Sequence, residues 1–275
     1  MTRFACEYRE TILKLTDVSV AYDGAPVLRD VNLEVHNIVR PGMSQGQVVA
    51  LLGPSGVGKT TLFHLLAGLM PPDTGTVAVT EQLTPVKAGM VGVVAQNYPL
   101  FMHRTVRGNL HVAGKQNGLR GRELADKADA LLKRFGLEGE GEKYPSQLSG
   151  GQRQRVALAQ QFLCSTHFLL MDETFSGLDV VAQDAVIEFI REVAAQDELN
   201  TFVIVTHDIS AALQVADMVW VLGRDHDTAG NPVPGAHLQA QYNLVEREIA
   251  WHDDITRLPQ YLRLRQEIRD LFPRL

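Results

Sequence analysis

The feature that most constrains this chain is the segment at residues 53–60, whose sequence GPSGVGKT fits the pattern G-x-x-x-x-G-K-[ST]. An apolar run at residues 48–52 can form a buried strand before it, and residues 61–67 can form a helix after it. A strand, a glycine-rich turn and a helix in this order are typical of a phosphate-binding loop. Glycine lets successive backbone N–H groups turn toward phosphate oxygens, and the helix N-terminus adds its positive end. The alternative, a glycine-rich turn with a chance lysine, does not account for the flanking strand and helix.

The loop predicts specific ligands for a nucleotide. Lys59 is expected to reach the β- and γ-phosphates, and the hydroxyl of Thr60 is expected to bind Mg²⁺. The full set of residues predicted to bind the phosphates is Gly53, Pro54, Ser55, Gly56, Val57, Gly58, Lys59, Thr60 and Thr61.

Composition limits the class of protein. The chain has 275 residues, 45% of them hydrophobic, which is enough for one large domain or one domain with an appendage. A net charge of −6 argues against a general polyanion binder but leaves room for a local basic patch. The two cysteines, Cys6 and Cys164, make no disulfide framework and favour a reducing cytosol. No apolar run approaches the ~20 residues of a membrane helix, and the N-terminus lacks a signal peptide. We therefore expect a soluble, cytoplasmic protein that works at a membrane only by docking onto another protein.

Hydrophobic periodicity predicts strands that alternate with helices. Residues 11–35 alternate as two strands around the turn Asp23-Gly24, and a loop follows at 36–47. The further predicted strands are 76–80, 90–95, 167–171, 202–205 and 218–222, and the predicted helices are 122–135, 152–163 and 180–195. Residues 224–240 have the composition of a linker, and amphipathic helices are predicted at 243–258 and 260–271. This order indicates an α/β fold with a parallel sheet and a helical insertion within residues 97–147.

Two carboxylates follow one of the predicted strands. Residues 168–171 are apolar, and Asp172 and Glu173 come directly after them. Ligands of α/β sheets lie at the carboxyl ends of the strands. Asp172 is therefore expected to hold Mg²⁺, and Glu173 to orient and deprotonate an attacking water. The alternative is a strand end with two solvated acids.

A second glycine-rich helix start occurs at residues 148–152, with the sequence LSGGQ. Ser149 is expected to be the N-cap, and Gly150 and Gly151 leave the first N–H groups accessible to an anion. Since one domain already has a phosphate site in its first loop, this helix start is expected to serve a nucleotide on another molecule. The alternative is an ordinary capped helix.

These segments, with 176–179 and 205–208, occur in the order and spacing of an ATP-binding-cassette (ABC) nucleotide-binding domain, which the chain resembles over about residues 11–223. The resemblance implies a RecA-like P-loop core with a mostly parallel sheet, an N-terminal antiparallel β subdomain, an inserted α-helical subdomain and a short C-terminal helical extension. It implies a nucleotide-binding domain at 1–223 with the helical subdomain at about 97–160. Residues 224–275 are then a linker and the helical extension.

The resemblance also implies roles for single residues, with ATP and Mg²⁺ as cofactors. Tyr22 lies where the family has an aromatic that stacks on adenine, unless it is a core tyrosine. Gln96 matches the glutamine that senses Mg²⁺ and the attacking water and links the site to the helical insertion. His207 resembles the histidine that contacts the γ-phosphate, unless it is structural, and Asp179 resembles the aspartate that communicates across a dimer.

Family members clasp two ATP molecules between two head-to-tail cassettes. By resemblance, one protomer's Ser149, Gly150, Gly151 and Gln152 bind the nucleotide that the other protomer holds at Lys59. Three departures from the family pattern are visible: Thr174 stands where proline is usual, Gln160-Gln161 stand where Arg-Ala is common, and the loop at 36–47 is long.

The resemblance implies the ATPase subunit of a transporter, paired with a second cassette and with separate membrane permease subunits at the cytoplasmic face of the cell membrane. The sequence is most similar in style to importers of small polar solutes such as nitrate, sulfonate or amino acids. Export of lipid or drug is an alternative, and so is a soluble cassette ATPase that acts on nucleic acid or ribosomes. The acidic net charge and the lack of a second cassette or a long coiled coil disfavour the last, so no nucleic acid partner is expected.

Two segments keep two interpretations each. Residues 98–101 and 105–110 resemble the socket for a permease helix, and the alternative is that Leu100 and Phe101 are core of the helical insertion. The C-terminal helices are expected either to pack back on the cassette or to serve dimer contact or regulation.

Overall fold

The computed structural model describes residues 6–39, 46–79, 82–95, 99–164, 168–177, 179–195, 201–252 and 254–275. Its central six-stranded sheet has the order β10-β9-β3-β8-β7-β6. The members are β3 (Gln47–Leu52), β6 (Gly92–Val94), β7 (Phe168–Asp172), β8 (Thr201–Thr206), β9 (Met218–Gly223) and β10 (His237–Asn243). The pairs β3–β8, β3–β9, β7–β8 and β6–β7 are parallel, and β10 pairs antiparallel with β9. Every residue of β3, β8 and β9 is buried, which explains why these strands are largely apolar runs.

A four-stranded antiparallel sheet forms the second β layer, in the order β2-β1-β4-β5. It consists of β1 (Glu7–Tyr22), β2 (Ala25–Val39), β4 (Thr74–Val79) and β5 (Thr84–Pro85). Asp23 and Gly24 turn the β1–β2 hairpin with φ values of 51° and 79°, the conformation that a two-residue hairpin turn requires. The predicted loop at 36–47 is wrong in its first part, because β2 continues to Val39 and pairs with β1 as far as Glu7. Residues 40–45 lie outside the described part of the chain.

Seven α-helices complete the described structure: α1 (Lys59–Leu66), α2 (Val106–Gln116), α3 (Gly121–Arg134), α4 (Gly150–Cys164), α5 (Val180–Ala194), α6 (Ile209–Val215) and α7 (Pro259–Leu271). Helices α2 and α3 form the predicted helical insertion. Leu124, Ala128, Leu131 and Leu132 are buried, so the helix predicted at 122–135 has one apolar face toward the core. Phe135 follows the helix and packs its ring 5.2 Å from the ring of Phe189 on α5. The mixed α/β class, the parallel core sheet and the antiparallel β layer are as predicted.

The C-terminal part differs from the predicted linker and helix pair. β10 (His237–Asn243) begins within the predicted linker and ends where the next helix was predicted to begin, and it extends the central sheet. The helix predicted at 243–258 is wrong. Glu248 and Trp251 have φ values of 55° and 65°, which a right-handed helix excludes, and only Ile255–Arg257 forms a short 3₁₀ turn. The last helix is confirmed as α7, whose Tyr261, Leu264 and Ile268 pack back on the cassette. Within the described ranges, no helix has the length and apolarity that a membrane crossing needs.

Candidate nucleotide site

The glycine-rich loop leaves the carboxyl end of β3, in the middle of the central sheet. Gly53 has no room for a side chain, because a Cβ there would lie 2.7 Å from the carbonyl oxygen of Leu222 on β9. Gly58 has a φ of 115°, which side chains rarely adopt. Val57 is buried and anchors the loop in the core. The glycines therefore serve both backbone conformation and close packing.

The loop and the two carboxylates enclose one cavity of about 390 Å³. It brings together most of the residues predicted from the loop with both predicted acids: its lining is Val27, Ser55, Gly56, Gly58, Lys59, Thr60, Thr61, Asp172 and Glu173. The ammonium of Lys59 donates to the carbonyl oxygens of Gly53 and Pro54, at 2.8 Å and 3.1 Å. Burial lowers the pKa of Lys59, and the charges of Glu173 and Asp172 oppose that shift. The arrangement is a cationic group wrapped by backbone and facing two acids.

The two carboxylates are held differently. Asp172 ends β7, and burial raises its pKa, with the neighbouring charge of Glu173 acting in the same direction. Glu173 has a φ of 46°, and its N–H donates to the carbonyl oxygen of Val205 on β8 at 2.8 Å. One carboxylate oxygen of Glu173 lies 4.0 Å from Nζ of Lys59. Both acids line the cavity beside Lys59, which favours the predicted site over the alternative of a strand end with two solvated acids.

The donor set fits a hard cation. The carboxylate of Asp172 and the hydroxyl of Thr60 line the same cavity, and Mg²⁺ prefers such oxygen ligands. The described residues contain no cluster of three or more His, Cys, Asp or Glu side chains suited to a metal ion. Mg²⁺ usually keeps several waters and takes other ligands from substrate phosphates, so two protein oxygen ligands are compatible with it.

His207 contacts one of the acids. It follows β8, the neighbour of β7, and its Nδ1 lies 2.8 Å from Oε2 of Glu173. The next residue, Asp208, caps α6 by accepting from the N–H of Ala211 at 2.9 Å. Its second oxygen accepts from the side chain of Gln183 at 2.8 Å. The two hydrogen bonds of Asp208 fix the backbone beside His207. The imidazole of His207 is about half exposed and lies outside the core.

The second glycine-rich helix start is exposed. The N-cap prediction for Ser149 is confirmed, because its Oγ accepts from the N–H of Gln152 at 3.2 Å. Gln152 returns the contact, with Oε1 accepting from the N–H of Ser149 at 2.9 Å, which completes a capping box. A Cβ built on Gly150 or Gly151 would meet no atom within 4 Å. Within the described part of the chain, residues 149–152 do not line the cavity that contains Lys59.

Tyr22 and Asp179 are not among the described residues that line this cavity. Tyr22 ends β1 with 49% of its surface exposed, so the alternative of a core tyrosine is wrong, and its hydroxyl donates to Sδ of Met70 at 3.6 Å. Asp179 precedes α5 and is exposed, with its carbonyl oxygen accepting from the N–H of Gln183. Gln96, predicted to act in catalysis and metal binding, lies outside the described residues.

Sequence reasoning missed two contacts near the cavity. Arg224 follows β9, and its Nη2 donates to the carbonyl oxygen of Gly56 at 3.1 Å. Its only sequence signal is a basic residue directly after a buried strand. Gln161, noted as a departure from the family, accepts from the N–H of Val93 on the edge strand β6 at 3.1 Å. The side chain of Gln161 thus bonds a backbone N–H at the edge of the sheet. Its position in a helical sequence gives no sign of this contact.

Three comparisons with known proteins agree with this geometry. The sequence model of the family described as "ABC transporter" matches residues 37–176, just over half of the chain. That range contains the phosphate loop, the second glycine-rich helix start and both carboxylates.

The curated relatives include several named sulfate/thiosulfate import ATP-binding protein CysA. The one from Synechocystis is 38% identical over 212 residues, which are 76% of this chain and 57% of the relative. The one from Mycobacterium bovis is 42% identical over 193 residues, or 68% and 54%. The one from Caulobacter vibrioides is 39% identical over 218 residues, or 76% and 61%. The chain thus spans little more than half the length of the curated relatives it matches.

Solved structures share the fold. A structure described as cbiO1 from Clostridium perfringens, part of the ABC transporter complex cbiONQ, is 25% identical with a TM-score of 0.72. The match covers 95% of this chain and all of that one. A second structure, described as the ATP binding subunit of an ABC transporter, has a TM-score of 0.66 at 24% identity and covers 86% of this chain and 92% of that one.

Proposed function

This chain belongs to the ABC transporter family, and on that premise we propose that it is the ATP-hydrolysing subunit of a transporter. It binds ATP in the cavity beside Lys59, pairs head-to-tail with a second cassette and acts on separate membrane permease subunits. We further propose that it does so at the cytoplasmic face of the cell membrane.

One observation carries the proposal: Lys59, Asp172 and Glu173 line a single cavity at the carboxyl ends of the parallel strands, with His207 on Glu173. In the proposed reaction the backbone N–H groups of residues 55–61 and the ammonium of Lys59 hold the phosphates. Glu173 accepts a proton from the attacking water as the water oxygen bonds to the γ-phosphorus and the bond from that phosphorus to the bridging oxygen of ADP breaks. His207 orients Glu173 and then faces the γ-phosphate.

Mg²⁺ is the proposed metal, held by Thr60, Asp172 and Gln96. When bound, it offsets negative charge on the β- and γ-phosphate oxygens. The charge of Glu173 contributes to the raised pKa of Asp172, and a bound cation would relieve the repulsion between these two neighbouring carboxylates.

A second cassette completes the site in this proposal. Ser149, Gly150, Gly151 and Gln152 are exposed or half-exposed and lie outside the cavity of their own chain, which supports their use by a nucleotide on a partner. Tyr22 is exposed at the end of β1, as a residue that stacks on adenine needs to be. Asp179, exposed before α5, is the proposed contact between the two cassettes.

The permease is proposed to dock on residues 99–110. Leu100 packs partly against the core, whereas Phe101 and Met102 expose 42% and 56% of their surfaces. Phe101 and Met102 are therefore the residues proposed to contact the permease helix, whereas Leu100 belongs to the core. The names of the relatives make a small oxyanion such as sulfate the proposed cargo, imported into the cell. We also propose residues 1–223 as the nucleotide-binding domain, with 224–275 as an extension that packs on it through β10 and α7.

Equilibrium binding of ATP tests the central claim. We expect Lys59→Ala to weaken ATP binding at least tenfold, because a buried cation that contacts two phosphates is lost. The matched control is Lys127→Ala, which removes an exposed lysine paired with Glu123 on α3. Equal ATP affinity of the wild type and the Lys59→Ala protein, measured by titration calorimetry, contradicts the proposal.

A further inference from the structure

Arg224 lies beside the phosphate loop because of the strand order. β9 is the parallel neighbour of β3, with Leu52 opposite Val221, so the residues that follow the two strands run side by side. The carbonyl oxygen of Leu222 lies 2.7 Å from where a Cβ of Gly53 would be. The end of β9 is therefore in contact with the loop from its first residue onward.

The guanidinium of Arg224 reaches further along the loop, to Gly56. Its Nη2 donates to the Gly56 carbonyl oxygen at 3.1 Å, and Gly56 has a φ of 76°. A glycine adopts many backbone conformations, so this peptide needs an external contact to hold one orientation. A trans peptide is planar, with its C=O and its N–H pointing in opposite directions. Holding the Gly56 carbonyl toward Arg224 therefore turns the N–H of Val57 away from Arg224.

The charge of Arg224 is not neutralised by its neighbour. Asp225, the next residue, pairs with Arg29 at 2.7 Å and accepts from the side chain of Gln239 at 3.2 Å. The Nε atom of Arg224 is buried and makes no hydrogen bond to any residue that the structure describes. A cation therefore contacts the loop backbone at Gly56, in addition to Lys59 within the loop.

The segment after Arg224 is tied to Val27, a residue that lines the cavity. The N–H of Ala236 donates to the carbonyl oxygen of Val27 at 2.9 Å, and Val27 lines the cavity. The N–H of Arg29 donates back to the carbonyl oxygen of Ala236 at 2.9 Å. Residues 224–236 thus connect the phosphate loop to the start of β2.

We propose that Arg224 is a positioning residue for phosphate binding, which sets the Gly56–Val57 peptide so that the loop presents its N–H groups to the nucleotide. The inference rests on the proposed function, since it concerns the same site. Arg224 acts through the loop backbone and adds positive charge there, with no contact to the reacting atoms.

The test is binding of ATP and of tripolyphosphate to the full chain, with thermal unfolding measured in parallel. Arg224→Met removes the donors and keeps the length of the side chain, and Arg224→Lys keeps a cationic donor. The matched control is Arg247→Met, which removes a half-exposed arginine paired with Glu267 at 3.1 Å. We expect Arg224→Met to weaken both ligands about tenfold, the size expected for one lost charge-assisted hydrogen bond. Arg224→Lys is expected to recover most of the affinity, and Arg247→Met to bind as the wild type does.

Each outcome bears on one claim. The inference is overturned if Arg224→Met binds tripolyphosphate within twofold of the wild type, or if only ATP and not tripolyphosphate is affected. It is also overturned if Arg224→Lys recovers nothing. If Arg224→Met does not fold, Arg224→Gln replaces it, and equal affinity of the Gln and Lys variants decides against the inference. Failure of the wild type to bind ATP counts against the proposed function instead.

Discussion

Replacing Glu173 by glutamine separates proton transfer from nucleotide binding. The introduced amide has nearly the shape of the carboxylate and retains an oxygen and a donor for Nδ1 of His207, which lies 2.8 Å from Oε2 of Glu173. It cannot take a proton from water. General-base catalysis contributes about 10²- to 10⁴-fold, so the rate of hydrolysis should fall by that factor, or about 3–5 kcal/mol of barrier.

Unlike the rate of hydrolysis, the affinity for ATP is expected to rise or to stay unchanged in Glu173→Gln. Glu173 lies 4.0 Å from Nζ of Lys59 and faces the position of the phosphates, so the substitution removes one negative charge from an anion site. ATP affinity should therefore equal or exceed that of the wild type. With hydrolysis stopped, the ATP-bound pair of cassettes should persist, which size-exclusion chromatography with ATP and Mg²⁺ detects.

The assay is phosphate release at saturating ATP, beside a binding titration. The control is Glu123→Gln, which neutralises an exposed glutamate of α3 paired with Lys127 and should change neither quantity. A Glu173→Gln protein with turnover near that of the wild type would refute the assignment of Glu173 as the base. A protein that loses ATP binding would refute the argument from charge.

Three further predictions follow from single contacts. Asn109 is fully buried and bonds to the backbone of Phe101 and Thr105, so Asn109→Leu should lower the free energy of unfolding by about 3 kcal/mol in urea titrations, with ATP affinity unchanged. A change below about 1 kcal/mol contradicts it. Tyr22→Ala should weaken binding of ATP but not of tripolyphosphate, and equal loss for both contradicts adenine stacking. Since burial raises the pKa of Asp172, protons should compete with Mg²⁺ at a higher pH than at an ordinary carboxylate. The gain in ATP affinity from Mg²⁺ should therefore shrink as the pH falls, and titrations of Asp172→Asn should show only the part of this dependence that comes from protonation of the ATP phosphates.

The sheet strands were predictable where burial on both faces favours apolar residues. β3 and β8 are such runs apart from Gln47, Thr201 and Thr206 at their ends, and their short length between turns favours buried strands. The acids after β7 were predictable for the same reason, because they end an apolar run at the edge of the sheet where ligands bind.

The elements that escaped prediction depend on contacts between distant residues. The end of β2 carries His36 and Asn37 but stays paired with β1, where Asn37 donates to Glu10 at 2.7 Å and His36 lies 3.2 Å from the hydroxyl of Thr11. β10 had a weak signal in the alternation of Leu238, Ala240 and Tyr242, which polar neighbours and the preceding Gly and Pro residues obscured. The segment 243–258 has apolar residues at helical spacing, but Asn243 accepts from the N–H groups of Val245 and Glu246 and forms a turn instead.

The site itself depends on the order of strands in the sheet, which no local pattern contains. β8 lies between β3 and β7 although it comes after both in the sequence, and this places His207 on Glu173. β9 lies on the other side of β3, and this places Arg224 on the phosphate loop. β6 flanks β7, with Val94 opposite Met171, so the end of β6 lies beside Asp172. By accepting from the N–H of Val93, Gln161 joins β6 to the helix that begins at Gly150.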